Sequence, residues 1–221
     1  MSIELVICDC DGVLVDSEII ACRVDAEELG QRGFPDYTLE IVLRRFAGMS
    51  QHDMIASIEK ETGLTIGGDF ARAVERRVQE AISTDLQALP GAAEVIGSLA
   101  LRKCVASSSR PDKLDLALSV TGLRKYFDPY IFSSVLVDRG KPAPDLFFYA
   151  AAQMGVPPQR ACVIEDSIAG VTAAIAAGMP VVGFVGGSHC SSQHADSLLA
   201  LGAAAIVSHW SEIPDVIGRL N

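Results

Sequence analysis

The chain has 221 residues, of which 49 % are apolar, and a net charge of −10 from 28 acidic and 18 basic residues. That apolar content excludes wholesale disorder, and the absence of a Lys/Arg cluster argues against nucleic acid or an anionic membrane as the main partner. No run of about 18 apolar residues offers a membrane span, and the chain enters its first apolar run almost at once, so a cytoplasmic protein without a leader is expected.

The first strand is predicted at "IELVIC", ending in Asp9 and Asp11. The stretch from about 16 to 85 then shows no convincing strand. It reads as helices at "SEIIACRVDAEELGQRG", "TLEIVLRRFAG", "QHDMIASIEKETG" and "DFARAVERRVQEAIS". The β-rich pattern resumes with "KCVASS", "YIFSS", "ACVIE", "PVVGF" and "AAAIVS". Amphipathic stretches such as "PDKLDLALSVTGL", "APDLFFYAAAQMG" and "SIAGVTAAIAAG" separate them. Strands alternating with helices predict βαβ units and a doubly wound parallel sheet, covered on both faces because the strands are almost wholly apolar. The domain expectation is an α/β core of residues 1–15 and 86–221 with a helical insertion over 16–85. Ser167 is placed to cap the helix that Gly178 closes.

Cys8, Cys104 and Cys162 fall within predicted strands, where a thiol serves as a small apolar side chain. All six cysteines are expected to be reduced, and Cys8 and Cys10 have no second pair to complete a zinc site. The histidines, His52, His189, His194 and His209, show no ligand spacing and read as surface or packing residues.

In a doubly wound sheet, ligands bind beyond the carboxyl ends of the strands. There the chain supplies Asp9 and Asp11, then "SSSR" from Ser107 to Arg110, then Lys141, then Glu165, Asp166 and Ser167. Residues i and i+2 of a strand share a side, so Asp9 and Asp11 converge on one point above the sheet edge unless the chain already turns at Asp11. Four carboxylates in one place repel one another without a cation, and oxygen donors favour a hard one such as Mg²⁺. Lys141 and the Ser107 hydroxyl suit a phosphoryl group, and Gly12 lets a ligand approach free backbone amides. The set points to phosphoryl transfer, with one carboxylate as nucleophile and the other moving a proton. Residue types leave open which aspartate attacks.

"DCDGVLVDS", "VASSS", "KPAPD" and "VIEDSIAG" together resemble, in order, the four motifs of the haloacid dehalogenase superfamily. The resemblance implies that Asp9 is the nucleophile that becomes an aspartyl-phosphate. It implies that Asp11 is the general acid/base and that Ser107 and Lys141 hold phosphoryl oxygens. It makes Asp9, the Asp11 main-chain carbonyl and Asp166 ligands of Mg²⁺, with Glu165 a ligand or an outer-shell residue. Gly12 is expected against the phosphate, and Ser108 is a further candidate there, with a turn-and-cap role equally open to it. The helical stretch falls where the family inserts a mobile cap, with hinges near 15–18 and 84–88.

Retention of Asp11 points to phosphate esters rather than to the dehalogenase or phosphonatase branches. The chain is also similar to β-phosphoglucomutases, but Gln51 and Ala21 stand where that branch has an arginine and a histidine. Neutral Gln cannot form a bidentate pair with a second phosphate. The "CDCDG" opening is similar to that of bacterial 6-phosphogluconate phosphatases. The expectation is a Mg²⁺-dependent phosphatase of small phosphorylated metabolites, sugar phosphates foremost, acting as a monomer or weak oligomer. A phosphomutase is the alternative, and a non-catalytic phosphate-binding protein a further one. Ser50, Gln51 and His52, on the loop after Gly48, are the expected cap contacts to substrate, although Ser50 also suits a helix N-cap.

Overall fold

The computed structural model describes residues 2–47, 49–190 and 192–220. All six expected strands form: β1 (Leu5–Cys8), β2 (Arg102–Ser107), β3 (Ile131–Ser133), β4 (Ala161–Glu165), β5 (Val181–Phe184) and β6 (Ala205–Val207). They make one parallel sheet in the order β3-β2-β1-β4-β5-β6. The order runs outward in both directions from β1, so the switch point lies beside the end of the first strand.

Side chains alternate across the sheet. Val6 and Cys8 join Val105, Cys162 and Ile164 on one face, under α5 (Ala92–Ser98), α6 (Pro111–Val120) and α10 (Ile213–Arg219). Leu5 and Ile7 join Cys104, Ala106 and Val163 on the other, under α7 (Asp145–Gln153), α8 (Ile168–Ala176) and α9 (Ser192–Ala200). Each fully buried Leu, Ile or Val contributes about 1.5–3 kcal/mol, which is why continuous apolar strands sit in a two-sided core. Fully buried Trp210 packs against Phe184 and donates its indole N–H to the Val13 carbonyl at 2.8 Å. The C-terminal region thereby braces the turn after β1.

The described residues between 17 and 85 hold four helices and no strand: α1 (Ser17–Gln31), α2 (Leu39–Phe46), α3 (Gln51–Thr62) and α4 (Phe70–Asp85). They bury an apolar cluster of their own, centred on Leu29, Val42, Ile58 and Phe70. Two adjacent connections join this helical unit to the sheet. The Leu89 N–H donates to the Leu14 carbonyl at 2.9 Å, and the Asp16 N–H to the Gln87 carbonyl at 3.3 Å. All six cysteines are free thiols. Burial raises the pKa of Cys8 well above the ordinary range and that of Cys162 to about 12, so both pack as apolar groups. Among the described residues, no helix is long and apolar enough to cross a membrane.

Candidate active site

A cleft of about 1230 Å³ opens between the carboxyl end of the sheet and the helical unit. Its floor begins at β1. The strand ends at Cys8, and the Cys10 carbonyl then accepts from the N–H groups of Val13, Leu14 and Val15. Cys10 is therefore the carbonyl anchor of a tight turn. Because the chain is already turning, the strand rule no longer governs Asp11. The two aspartates both line the cleft, but they engage different partners instead of converging on one point.

Asp9 meets Lys141. The Lys141 ammonium donates to Asp9 Oδ1 at 2.6 Å, Glu165 Oε1 at 2.6 Å and the Ala106 carbonyl at 2.9 Å, which uses all three of its protons. The Lys141 and Glu165 side chains are 2 % and 1 % exposed. Burial works against the ammonium, yet Asp9 and Glu165 outweigh it and raise its pKa. Burial also pushes the Asp9 carboxyl well above the usual range; Lys141 opposes this, while Glu165 and Asp166 add to it. Glu165 Oε2 accepts from the Ser167 N–H at 2.7 Å and from its hydroxyl at 3.0 Å. Both Glu165 oxygens are thus engaged by protein donors. In this arrangement the residue holds Lys141 in place.

Asp11 accepts from the Ser17 hydroxyl, from the Ser109 hydroxyl at 2.5 Å and from Lys113 Nζ at 2.9 Å. Burial opposes its ionisation, but the Lys113 charge and the two hydroxyls prevail and lower its pKa.

Gly12 has φ +78°, and a Cβ there would lie 1.9 Å from Asp166 Oδ2. Glycine is required because the turn presses directly on that carboxylate. The Gly12 N–H is not free for a phosphate, since it donates to the Val15 carbonyl at 2.8 Å. The expectation of an open amide at this position is corrected by closure of the turn. Asp166 is raised to about 6, first by burial and also by Glu165, while His189 opposes the shift. His189 Nε2 stands 3.0 Å from Asp166 Oδ2, and the imidazole is held up at about 10, against burial, by Asp166 and Cys190. A cationic ring therefore stands on Asp166. This stand-in charge, the all-oxygen donor set of Asp9, Asp11 and Asp166, and the close Gly12 cradle fit a hard divalent cation.

Ser107, Ser108 and Ser109 follow β2 along the cleft. Ser107 Oγ accepts from the Ser109 N–H at 3.1 Å, and the Ser108 carbonyl accepts from the Ser134 hydroxyl at 3.1 Å. Across the cleft, Glu18, Glu40, Leu43, Arg44 and Ala47 form the helical wall.

Ser50, Gln51 and His52 do not line the cleft. Ser50 caps α3, accepting from the Asp53 N–H at 3.2 Å. Gln51 donates to Asp25 at 3.1 Å, and the His52 side chain is 92 % exposed. Gly48, which precedes them, lies outside the described residues. The N-cap turns this segment along the helical unit, while α2 presents Arg44 to the cleft. Arg44 had no motif to reveal it. His189, Cys190 and His194 also line the cleft, so surface or packing does not describe the two histidines. They lie just beyond "PVVGF", on the same side of the sheet as the polar residues that follow the earlier strands.

Over residues 3–178 the chain matches the haloacid dehalogenase-like hydrolases, and it belongs to that family. It is 31 % identical over 217 residues to the 6-phosphogluconate phosphatase of Escherichia coli (strain K12), covering 97 % of this chain and 94 % of that one. It is 31 % identical over 214 residues to a phosphorylated carbohydrates phosphatase of Thermotoga maritima, covering 92 % and 94 %. Among solved structures, a haloacid dehalogenase-like protein of unknown function from Agrobacterium tumefaciens superposes with a TM-score of 0.92 at 38 % identity, covering 99 % of both chains. The enzyme class is hydrolase, as the fold and site had indicated.

Proposed function

We propose that this phosphatase hydrolyses small phosphorylated carbohydrates in the cytoplasm through an aspartyl-phosphate on Asp9. The observation that carries the reading is the buried Asp9–Lys141–Glu165 network. It aims one carboxylate into the cleft and fixes an ammonium beside it. Asp9, Asp166 and the Asp11 main-chain carbonyl are the oxygen donors that would hold Mg²⁺, which when bound shields the attacking carboxylate from the phosphate's charge.

The Ser107 hydroxyl orients a phosphoryl oxygen, and the Lys141 charge, its three protons held by Asp9, Glu165 and the Ala106 carbonyl, draws the phosphoryl group electrostatically. Asp9 attacks phosphorus and forms an acyl phosphate as the P–O bond to the sugar breaks. Asp11 gives its proton to the departing alkoxide, then takes one from the water that attacks the aspartyl-phosphate, releasing inorganic phosphate and restoring Asp9. Before this, Asp11 turns from its Ser17, Ser109 and Lys113 partners, whose hold on it favours the ionised form, and takes up a proton from solvent. The cleft is larger than a typical small-molecule site. Closure of the helical unit about the paired connections near Val15 and Ala88 narrows it and excludes water during transfer.

Among the described residues lining the cleft, Arg44 is the single guanidinium. Gln51 lies outside the cleft, and Arg44 supplies the cation on the helical side. Arg44 receives a negative substituent distant from the scissile phosphate, such as a sugar-acid carboxylate. The names of the two curated phosphatase relatives support hydrolysis over transfer between sugar hydroxyls.

The test is a panel of phosphorylated sugars and sugar acids assayed with and without Mg²⁺. Mg²⁺-dependent phosphate release, strongest for sugar-acid phosphates, is expected. Faster exchange between 1- and 6-phosphates than phosphate release would establish a mutase instead. Binding of phosphate ligands without turnover would leave a binding protein.

A further inference from the structure

The loop after β5 runs through His189 and Cys190 to His194 on α9, and neither the phosphoryl chemistry nor the fold accounts for this trio. One ligand atom from each of the three lies within 4.8 Å of the others, and all three residues are part-buried. His189 Nε2 is 3.4 Å from Cys190 Sγ and 3.0 Å from Asp166 Oδ2, and His194 Nε2 contacts the Asp166 main-chain carbonyl. The rings stand edge to face, with centroids 6.0 Å apart.

The place is built. A Cβ at Gly12 or at Gly187 would come within 2.8 Å of His189 Cε1, so two glycines form the slot that holds the ring. His189 Nδ1 is buried without a hydrogen-bond partner among the described residues. A buried polar atom in that condition is destabilising. The other nitrogen, Nε2, is turned toward both Cys190 and Asp166, and a dication bound there displaces the proton that the ring holds on Asp166. Cys190 is also the one cysteine that is only part-buried.

We propose that His189, Cys190 and His194 form a site for a borderline transition-metal dication, Zn²⁺ being the best match, adjacent to the carboxylate site and distinct from it. Two imidazole nitrogens and one thiolate are the donors that Zn²⁺ selects and that Mg²⁺ refuses. Three protein ligands leave a fourth position for water or a ligand, and all three residues line the cleft. Occupancy draws both imidazoles from Asp166, so the site touches the hydrolytic centre through that single residue.

Co²⁺ serves as the probe. The metal-stripped full-length protein is titrated with Co²⁺ in excess Mg²⁺, which fills the oxygen site. The expected result is a thiolate-to-cobalt charge-transfer band that saturates at one equivalent and is abolished by equimolar Zn²⁺. Cys190→Ser should lose the band, and His194→Gln should weaken Co²⁺ binding by at least about tenfold. Circular dichroism confirms that each variant is folded. The wild-type protein supplies a measurement that needs no substitution: equimolar Zn²⁺ should slow alkylation of Cys190 at least about tenfold, since a bound thiolate is withheld from reagents. Absence of the band in the wild-type protein, or its persistence in Cys190→Ser, overturns the proposal. So does a Cys190 alkylation rate unchanged by Zn²⁺.

Discussion

The two walls of the cleft differ in construction. On the sheet side, Asp9, Glu165 and Asp166 are buried, and each contacts a cationic group: Lys141 for the first two, His189 for the third. On the helical side, Glu40 and Arg44 stand one turn apart on α2 and are exposed to solvent. Buried charges hold their geometry because moving one strands the other without water, whereas exposed side chains are free to adapt. A rigid wall suits chemistry common to every substrate. An adaptable wall suits the part of the substrate that varies.

Substitutions can break that contrast, starting with the largest effect. Asp9→Asn should reduce turnover by about 10³-fold or more while leaving the fold intact, as steady-state kinetics and circular dichroism would show. Lys141→Met would leave Asp9 and Glu165 buried beside each other without a cation. Denaturant unfolding should then show a loss of about 3–5 kcal/mol together with loss of activity. If stability were unchanged, the sheet wall would not be the charge-locked structure described.

On the helical wall the expected effects are smaller and specific. Arg44→Gln should raise KM by about tenfold for substrates with a distal anionic group, with little change in kcat or for neutral sugars. An equal loss for every substrate would make Arg44 a general electrostatic residue. The smallest effect lies inside the helical unit at Asp25, whose pKa burial raises to about 6 despite the Gln51 hydrogen bond. Because the folded state prefers the protonated form, its contribution to stability is complete below the ordinary carboxylate pKa and is lost as pH rises through about 6. Asp25→Asn should therefore be more stable than wild type by about 1–2 kcal/mol at pH 8, and the difference should vanish below about pH 4. Thermal melts across pH would detect it.

The sheet side was the more legible in the sequence, for the same physical reason that makes it rigid. Apolar runs such as "ACVIE" must be buried, and a polar residue at the end of such a run can only face the site. Asp9 and Asp166 are legible in that way, whereas Lys141 follows β3 only after a loop and is legible from its "KPAPD" motif. Glu165 was found too, but not its commitment to Lys141 and Ser167, which depends on where those groups sit in space. The Gly12 amide was misread because the turn that consumes it depends on a carbonyl three residues downstream. The helical wall was harder to read. Ser50 followed a local capping rule and obeyed it, but Arg44 carries no local mark separating it from any exposed arginine on a helix. His189 and His194 were missed because their significance comes from Asp166, distant in sequence and adjacent in space.

The most direct test of the account is to trap the phosphorylated enzyme. The protein is mixed with a phosphate-labelled sugar phosphate and Mg²⁺, quenched in acid within one turnover and digested. The account predicts a hydroxylamine-labile label on the peptide carrying Asp9, absent from Asp9→Asn. Label on another residue, or rapid phosphate release by Asp9→Asn, would contradict it.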